Sequence, residues 1–203
     1  MKLGAPLSRP GQVIGLLGGS FDPAHAGHVQ ITLEALKQFR LDQLWWLVSP
    51  GNPLKSVGPA PMPKRLEQAR AIMGHPQVHI TDLEAQLGTR YTAQTLAALR
   101  QALPGVRFIW LMGADNLAQL HYWQDWRNIV AAMPIGVLAR PEHRISARMS
   151  KAARIYRTAR LPARRAALLA ASAPPCWCFL NVPMSSLSST EIRSQGDWTG
   201  LST

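Results

Sequence analysis

One stretch decides how this chain folds: Gly18-Gly19-Ser20-Phe21-Asp22-Pro23-Ala24-His25-Ala26-Gly27-His28. The apolar run before it predicts a strand over residues 13–18, and the helical spacing of apolar residues after it predicts a helix over residues 26–40. The order is therefore strand, glycine turn and helix. In an open parallel sheet, such a turn lies at the carboxyl ends of the strands, where ligands bind.

The residue types in this stretch are those that suit a phosphate. Gly18 and Gly19 let backbone N–H groups approach a ligand closely because no Cβ intervenes. The amino terminus of the following helix offers unpaired N–H groups and a partial positive charge. His25 and His28 lie three residues apart there, on one face of the helix, so that both imidazoles can meet one phosphate chain. A tight turn with two surface histidines is the alternative, but the coincidence of these features at one junction favours the phosphate site.

Strands and helices alternate along the rest of the chain. Apolar runs predict five further strands, over residues 43–49, 78–80, 106–112, 135–139 and 177–182. This alternation predicts an α/β fold with a Rossmann-like, doubly wound parallel sheet. We expect a single domain over residues 1–203, with a loose lead-in over 1–12 and a basic helical insert over 142–175.

The chain is strongly basic, with a net charge of +11 over 203 residues. The excess is concentrated between residues 140 and 165, where Glu142 is the only opposing charge. Such a stripe can bind nucleic acid, but it has no interleaved aromatic residue beyond Tyr156 and no recognised nucleic-acid motif, which favours a solvated face. A field that draws in polyanionic ligands is a third interpretation.

The composition gives no sign of export or of a membrane span. The first residues have no signal-peptide apolar region, and no run approaches the ~18–20 apolar residues of a span. Cys176 and Cys178 are too close for an ordinary disulfide framework and too few for a zinc site. We therefore expect two buried cysteines in a cytoplasmic protein.

Two loops that follow predicted strands carry further candidates. Lys55 lies on a loop constrained by glycine and proline, which suits a cation that meets phosphate, although an exposed loop lysine is equally ordinary. Tyr91 and Thr92 stand just before a predicted helix. The residues alone indicate simple capping of that helix by Thr89 or Thr92, with one packed tyrosine.

The strand over residues 106–112 ends in a glycine and a carboxylate, Gly113 and Asp115. These two residue types at a strand's carboxyl end are typical of ribose binding in α/β folds. Trp123 and Trp126 follow at helical spacing, which usually indicates core residues.

The last candidate stretch is Ser185-Ser186-Leu187-Ser188-Ser189-Thr190-Glu191-Ile192-Arg193. Ser188 and Glu191 have the spacing of a capping box, which predicts a helix start. Either this is only a capped helix, or Ser189, Thr190 and Arg193 form a second phosphate site there.

Together these stretches resemble the motifs of bacterial nicotinate-nucleotide adenylyltransferases, in the His-x-Gly-His nucleotidyltransferase superfamily. The first stretch contains His-Ala-Gly-His, and it is neither the G-x-G-x-x-G fingerprint nor a P-loop. Gly-Ala-Asp-x-Leu, Trp-x-x-Trp and Ser-Ser-Thr-x-Ile-Arg follow in the family's order. Two stretches depart from the family. Asn-Pro-Leu-Lys replaces Asn-Pro-Pro-His-Lys while keeping Lys55, and Arg90 replaces the serine before Tyr91 and Thr92.

The resemblance implies a nucleotidyltransferase fold and adenylyl transfer from ATP to nicotinate mononucleotide in NAD biosynthesis. Mg²⁺ is expected to accompany ATP, with no metal ligand assigned to a residue. The implied catalytic residues are His25, His28, Lys55 and Arg193. The implied ATP-binding residues are Gly18, Gly19, Ser20, Phe21, His25, His28, Gly113, Asp115, Ser189, Thr190 and Arg193. The implied residues for nicotinate mononucleotide are Tyr91, Thr92, Trp123 and Lys55, with Trp123 stacked on the pyridine ring and Trp126 left in the core.

Two other functions stay open at this point. The same chemistry can act on nicotinamide mononucleotide or on another phosphorylated small molecule such as phosphopantetheine. A nucleic-acid-binding module on the basic segment is the second, and it predicts binding with steep salt dependence. A nucleic-acid-binding role leaves His25 and His28 unexplained, so we expect ATP and nicotinate mononucleotide as partners and consider nucleic acid a less favoured one. We expect no interaction with a membrane. A homo-oligomer stays an open question.

Overall fold

The computed structural model describes residues 4–51, 58–139 and 144–182. Its centre is a sheet of seven strands in the order β3-β2-β1-β4-β5-β7-β6, and every neighbouring pair is parallel. The strands are β1 (Val13–Gly19), β2 (Gln43–Val48), β3 (Val78–Thr81), β4 (Arg107–Gly113), β5 (Ile135–Ala139), β6 (Arg160–Leu161) and β7 (Trp177–Asn181).

Helices connect these strands and cover both faces of the sheet. They are α1 (Ala26–Phe39), α2 (Met62–Ile72), α3 (Leu83–Gln86), α4 (Thr92–Ala102), α5 (Ala114–Gln119), α6 (Trp126–Ala132), α7 (Arg144–Arg148) and α8 (Lys151–Ile155). Within the described ranges, 3₁₀ segments at Leu120–Tyr122, Arg157–Ala159 and Ala163–Ala171 add to them.

The sheet separates two apolar cores because successive side chains of a strand point to opposite faces. On β1, Ile14 and Leu16 enter the core beneath α3 to α8, whereas Val13 and Leu17 enter the core beneath α1, α2 and the 3₁₀ segment Ala163–Ala171. Both faces are therefore covered, as the doubly wound fold predicted from the sequence requires.

The order of the strands locates the switch point of the sheet. From β1 the chain moves through β2 to β3 on one side, and it then crosses to β4 on the other side of β1. The connections therefore change direction between β1 and β4. In doubly wound sheets the crevice at such a switch point, outside the carboxyl ends of the strands, is where ligands bind.

The six predicted strands are confirmed to within one residue at each end, but a seventh strand was missed. Arg160 and Leu161 form β6, which pairs with Trp177 and Cys178 of β7 at the sheet edge. The predicted sixth strand is β7, the seventh along the chain. Two residues are too few to show an apolar pattern in the sequence. β6 is recognised only by its pairing with β7.

The described part of the basic segment packs onto the sheet rather than standing apart from it. Ala147 and Ala152 are buried in one core, and Ala166 and Leu169 are buried in the other. The guanidinium carbon of Arg148 lies 4.8 Å from the ring centroid of Phe179 on β7. Some of the positive charge therefore has a packing role, since an arginine over an aromatic face is a favourable contact.

The remaining general expectations concern the cysteines and the membrane. Cys176 and Cys178 are both buried, as expected, and burial raises the pKa of the Cys178 thiol to about 11. None of the helices among the described residues has the length and apolar character that crossing a bilayer requires.

Candidate active site at the carboxyl ends of β1 and β4

The motif loop, residues 18–28, lies at the switch point of the sheet. Leu17 pairs with Leu111 between β1 and β4, and each strand continues for two residues, to Gly19 and to Gly113. The chain then turns at Asp22 and Pro23 and enters α1 at Ala26. The strand, glycine turn and helix predicted from the sequence are therefore confirmed.

His25 and His28 cap the first turn of α1 reciprocally. The Gly27 N–H donates to His25 Nδ1 at 3.1 Å, and the His25 N–H donates to His28 Nδ1 at 3.2 Å. The two ring centroids are 3.9 Å apart. Imidazole nitrogens thus take the positions that Ser and Glu oxygens hold in the usual capping box.

This capping arrangement fixes the tautomer of each neutral imidazole ring. A nitrogen that accepts a hydrogen bond carries no proton, so each neutral ring bears its proton on Nε2. Both rings lie at the start of α1, where the helix dipole favours an anion. His25 is only 5 % exposed, which excludes the surface-histidine alternative for that residue.

Aromatic packing holds His28 and the turn before it. The Phe21 ring stacks on Trp46 with centroids 4.6 Å apart, and its other neighbour is the His28 ring at 4.8 Å. The Trp46 indole N–H donates to Thr32 Oγ1 at 2.8 Å, which anchors the stack to α1. Phe21 has φ +46°, a left-handed backbone conformation that is costly for a bulky residue and that recurs at functional sites.

The two glycines of the motif loop differ in what they require. A Cβ at Gly18 would collide with the indole ring of Trp110, so packing alone demands glycine there. A Cβ at Gly19 would make only ordinary contact with the Phe21 ring, at 3.4 Å. From the sequence we expected both glycines to let the backbone approach a ligand. Gly18 is also required for packing, because the Trp110 ring occupies the space beside it.

At the end of β4, the carboxylate of Asp115 lies against Gly113, which has no side chain. Asp115 lies in the first turn of α5 and is exposed. Its Oδ1 lies where a Cβ of Gly113 would stand. The two residues that the sequence proposed for ribose therefore lie together at the switch point, next to the end of β1.

The predicted nicotinate residues lie at the starts of two neighbouring helices. Tyr91 is the residue before α4, and Thr92 is its first residue. Trp123 precedes α6, is half-buried and packs against the core, while Trp126 is buried as expected. α4 lies in the connection from β3 to β4, and α6 lies in the connection from β4 to β5, so both belong to segments that lead from the carboxyl edge of the sheet back to its amino edge.

Capping of α4 by a threonine side chain was a wrong prediction. Tyr91 occupies the N-cap position, and no side chain caps the helix there. The Thr89 hydroxyl instead lies 2.8 Å from the Thr95 hydroxyl, and Thr95 Oγ1 donates to Glu84 Oε1 at 3.5 Å. These hydroxyls lie beside the buried carboxyl of Glu84, because a buried polar group needs hydrogen-bond partners.

Comparison with known proteins places the chain in a family. The cytidylyltransferase-like family model matches residues 16–195. A "Probable nicotinate-nucleotide adenylyltransferase" of Ruegeria pomeroyi is 63% identical over 98% of this chain and 93% of the relative. Another of that name from Parvibaculum lavamentivorans is 50% identical over 95% of this chain and 96% of the relative. The chain belongs to the nicotinate-nucleotide adenylyltransferases of the cytidylyltransferase-like family.

A solved adenylyltransferase has the same fold. The Plasmodium falciparum nicotinic acid mononucleotide adenylyltransferase complexed with NaAD aligns with a TM-score of 0.66 at 18% identity, covering 90% of this chain and 83% of that one. At this identity the likeness concerns the fold, and it confirms the nucleotidyltransferase fold that the resemblance implied.

Four of the predicted site residues lie outside the described residues of this adenylyltransferase. They are Lys55, Ser189, Thr190 and Arg193. The second phosphate site predicted at Ser189, Thr190 and Arg193 therefore stays a prediction. The described residues bring together the end of β1, the start of α1 and the end of β4.

Sequence reasoning missed two buried charged residues of this adenylyltransferase, Arg65 and Glu84. Arg65 is 1 % exposed, and burial lowers the pKa of its guanidinium while Asp22 opposes that shift. The signal for it was its position four residues before Ala69, on the buried face of α2. Glu84 gave no comparable signal, because α3 is too short to show a periodicity.

Proposed function

We propose that this chain transfers the adenylyl group of ATP to nicotinate mononucleotide, giving nicotinate-adenine dinucleotide and pyrophosphate, in a single catalytic domain. The observation that carries the proposal is the pair of imidazoles at the switch point. His25 and His28 both present Nε2–H donors at the start of α1. The names and the identity of the relatives support the choice of substrate.

The reaction needs positioning rather than a covalent intermediate. A phosphate oxygen of nicotinate mononucleotide attacks the α-phosphorus of ATP, the bond from that phosphorus to the bridging oxygen breaks, and pyrophosphate leaves with the electron pair. A phosphate is already a competent nucleophile, so no general base is required. What remains is in-line placement and stabilisation of the charge that develops on the phosphate oxygens.

The described residues can meet these two needs. The Nε2–H groups of His25 and His28 donate to phosphate oxygens of ATP, with His28 the main stabiliser of the transition state. The backbone of Gly18, Gly19, Ser20 and Phe21 borders the reacting phosphates at the end of β1. Asp115, over Gly113, accepts hydrogen bonds from the ribose hydroxyls.

The other roles rest more on the sequence resemblance. Tyr91, Thr92 and Trp123 are proposed to bind the nicotinate moiety, with the indole of Trp123 stacked on the pyridine ring. Lys55 and Arg193 are proposed to hold the triphosphate and the departing pyrophosphate. Ser189 and Thr190 complete the second phosphate site.

Mg²⁺ fits this site as a companion of the nucleotide. No group of three or more His, Cys, Asp or Glu side chains within the described ranges could hold a metal ion. Asp22, the carboxylate of the motif loop, accepts from the Ala60 N–H at 3.2 Å. Mg²⁺ keeps several waters and is commonly bound by substrate phosphates, where it neutralises charge.

The decisive experiment measures pyrophosphate release by the purified chain from MgATP with nicotinate mononucleotide. Nicotinamide mononucleotide and phosphopantetheine serve as the matched alternatives, and we expect the highest kcat/KM with nicotinate mononucleotide. A higher kcat/KM with either alternative would overturn the choice of substrate. No release with any of them, together with salt-dependent binding of DNA or RNA, would favour the nucleic-acid module.

A further inference from the structure

Arg65 is a fully buried arginine whose Nε and Nη1 donors reach backbone carbonyls near the motif loop. Its Nε donates to the Ala60 carbonyl at 2.7 Å. Its Nη1 donates to the Ser20 carbonyl at 2.6 Å and to the Ser49 carbonyl at 2.8 Å. One guanidinium therefore joins three separate backbone segments, at Ser20, Ser49 and Ala60.

The three segments meet at the carboxyl edge of the sheet. Ser20 directly follows β1, Ser49 directly follows β2, and Ala60 comes two residues before α2. Further bonds link the same segments, since the Ser49 N–H donates to the Gly19 carbonyl at 2.9 Å and the Ala60 N–H donates to Asp22 Oδ1. Arg65 lies at the centre of this cross-linked set.

Arginine is suited to this position in a way that lysine is not. Its planar fork holds several donors in fixed directions and stays charged when buried, whereas an ammonium group is a compact point charge. Hydrogen bonds to a charged donor are stronger than neutral ones, which offsets part of the cost of burial. Asp22 supplies a nearby negative charge that favours the charged guanidinium.

We propose that Arg65 is a positioning residue for adenylyl transfer, which fixes the backbone of residues 19–22 relative to the ends of β1 and β2. This inference rests on the proposed function. Arg65 acts through the Ser20 carbonyl, because its side chain is only 1 % exposed and its Nε and Nη1 donors bond the carbonyls of Ala60, Ser20 and Ser49. The loop so held leads directly into His25 and His28, whose Nε2 atoms must meet the phosphates.

The test compares Arg65→Lys with Arg70→Lys, a matched change at an exposed arginine of the same helix. Steady-state rates are measured at a temperature where circular dichroism shows each protein to be folded. We expect kcat of Arg65→Lys to fall about 10- to 100-fold, because displacements near 1 Å cost about that much. The KM values for ATP and nicotinate mononucleotide should change far less than kcat, and Arg70→Lys should match the wild type.

A second arm separates positioning from a loss of folded protein. In Arg65→Ala, millimolar guanidinium should restore part of kcat, whereas the same concentration of methylammonium should not. A structural role alone predicts a lower melting temperature with normal kcat in the folded protein and no rescue. Normal kcat in Arg65→Lys, with an active wild type, would overturn the proposal.

A wild type that releases no pyrophosphate would overturn the proposed function. In that case hydrogen exchange of the backbone amides still tests the positioning role of Arg65. Amides of residues 19–28 should exchange faster in Arg65→Lys than in Arg70→Lys, while amides of β5 and β7 should be unchanged. Equal exchange of residues 19–28 in the two variants would overturn the positioning role of Arg65 by itself.

Discussion

Glu84 should make the stability of this protein depend on pH in a way that one substitution removes. Its carboxyl is buried beside Thr95, and desolvation raises its pKa from 4.5 to about 7, partly opposed by the Thr95 hydrogen bond. Between these two values the folded protein holds a proton that the unfolded chain has released. The free energy of unfolding therefore falls as the pH rises from about 4.5 to about 7.

The size of this effect follows from the gap between the two pKa values. At about 1.4 kcal/mol per pH unit, the gap corresponds to on the order of 3 kcal/mol. Glu84→Gln keeps the shape and the ability to bond Thr95 but carries no charge. We expect its stability to match that of the wild type near pH 4.5 and to exceed it by up to that amount at pH 8.

Urea unfolding at several pH values between 4.5 and 8 measures this difference directly, from the midpoint and slope of each transition. Other titrating groups are common to both proteins, so only the difference between them reports on Glu84. Glu67→Gln, at an exposed carboxylate of α2, is the control and should parallel the wild type at every pH. Parallel curves for the wild type and Glu84→Gln would refute the reasoning, because the buried carboxyl would then not titrate differently on folding.

Three further predictions concern the candidate site. His28→Ala should lower kcat by about 100-fold or more, through loss of a donor to the transition state. It should cost only about 1 kcal/mol in urea unfolding through the lost cap, and near-normal turnover would remove His28 from the mechanism. Trp123→Ala should raise the KM for nicotinate mononucleotide more than that for ATP in initial-rate assays, and the opposite pattern would make Trp123 a core residue only. Gly18→Ala should destabilise the protein by about 1–3 kcal/mol in urea unfolding, because the new Cβ meets the Trp110 ring. An unchanged midpoint would mean that this ring can move aside at little cost.

Much of the fold was readable because its patterns are local. The apolar runs of β1, β2, β4, β5 and β7 were visible as continuous strands, as expected for strands buried on both faces. The motif loop between β1 and α1 was visible because its glycines, Asp-Pro turn and histidines are adjacent in sequence.

Other features depend on partners that only the folded chain brings together. Arg65 shares the buried face of α2 with Ala69, but the sequence does not show that its partners are the carbonyls of Ser20, Ser49 and Ala60. Thr89 is a plausible cap by its position, but the buried Glu84 and Thr95 take its hydroxyl.

The sequence by itself determined the α/β fold class, the place of the glycine turn between β1 and α1, and the family, because each depends on residues that are neighbours along the chain. The tertiary structure alone decided that the Nδ1 atoms of His25 and His28 cap α1, which places the proton of each neutral ring on Nε2. It also decided that residue 18 must be glycine, because a Cβ there would collide with the Trp110 ring. The physical reason is that hydrogen-bond direction and steric fit depend on distances between atoms, which only the folded chain sets.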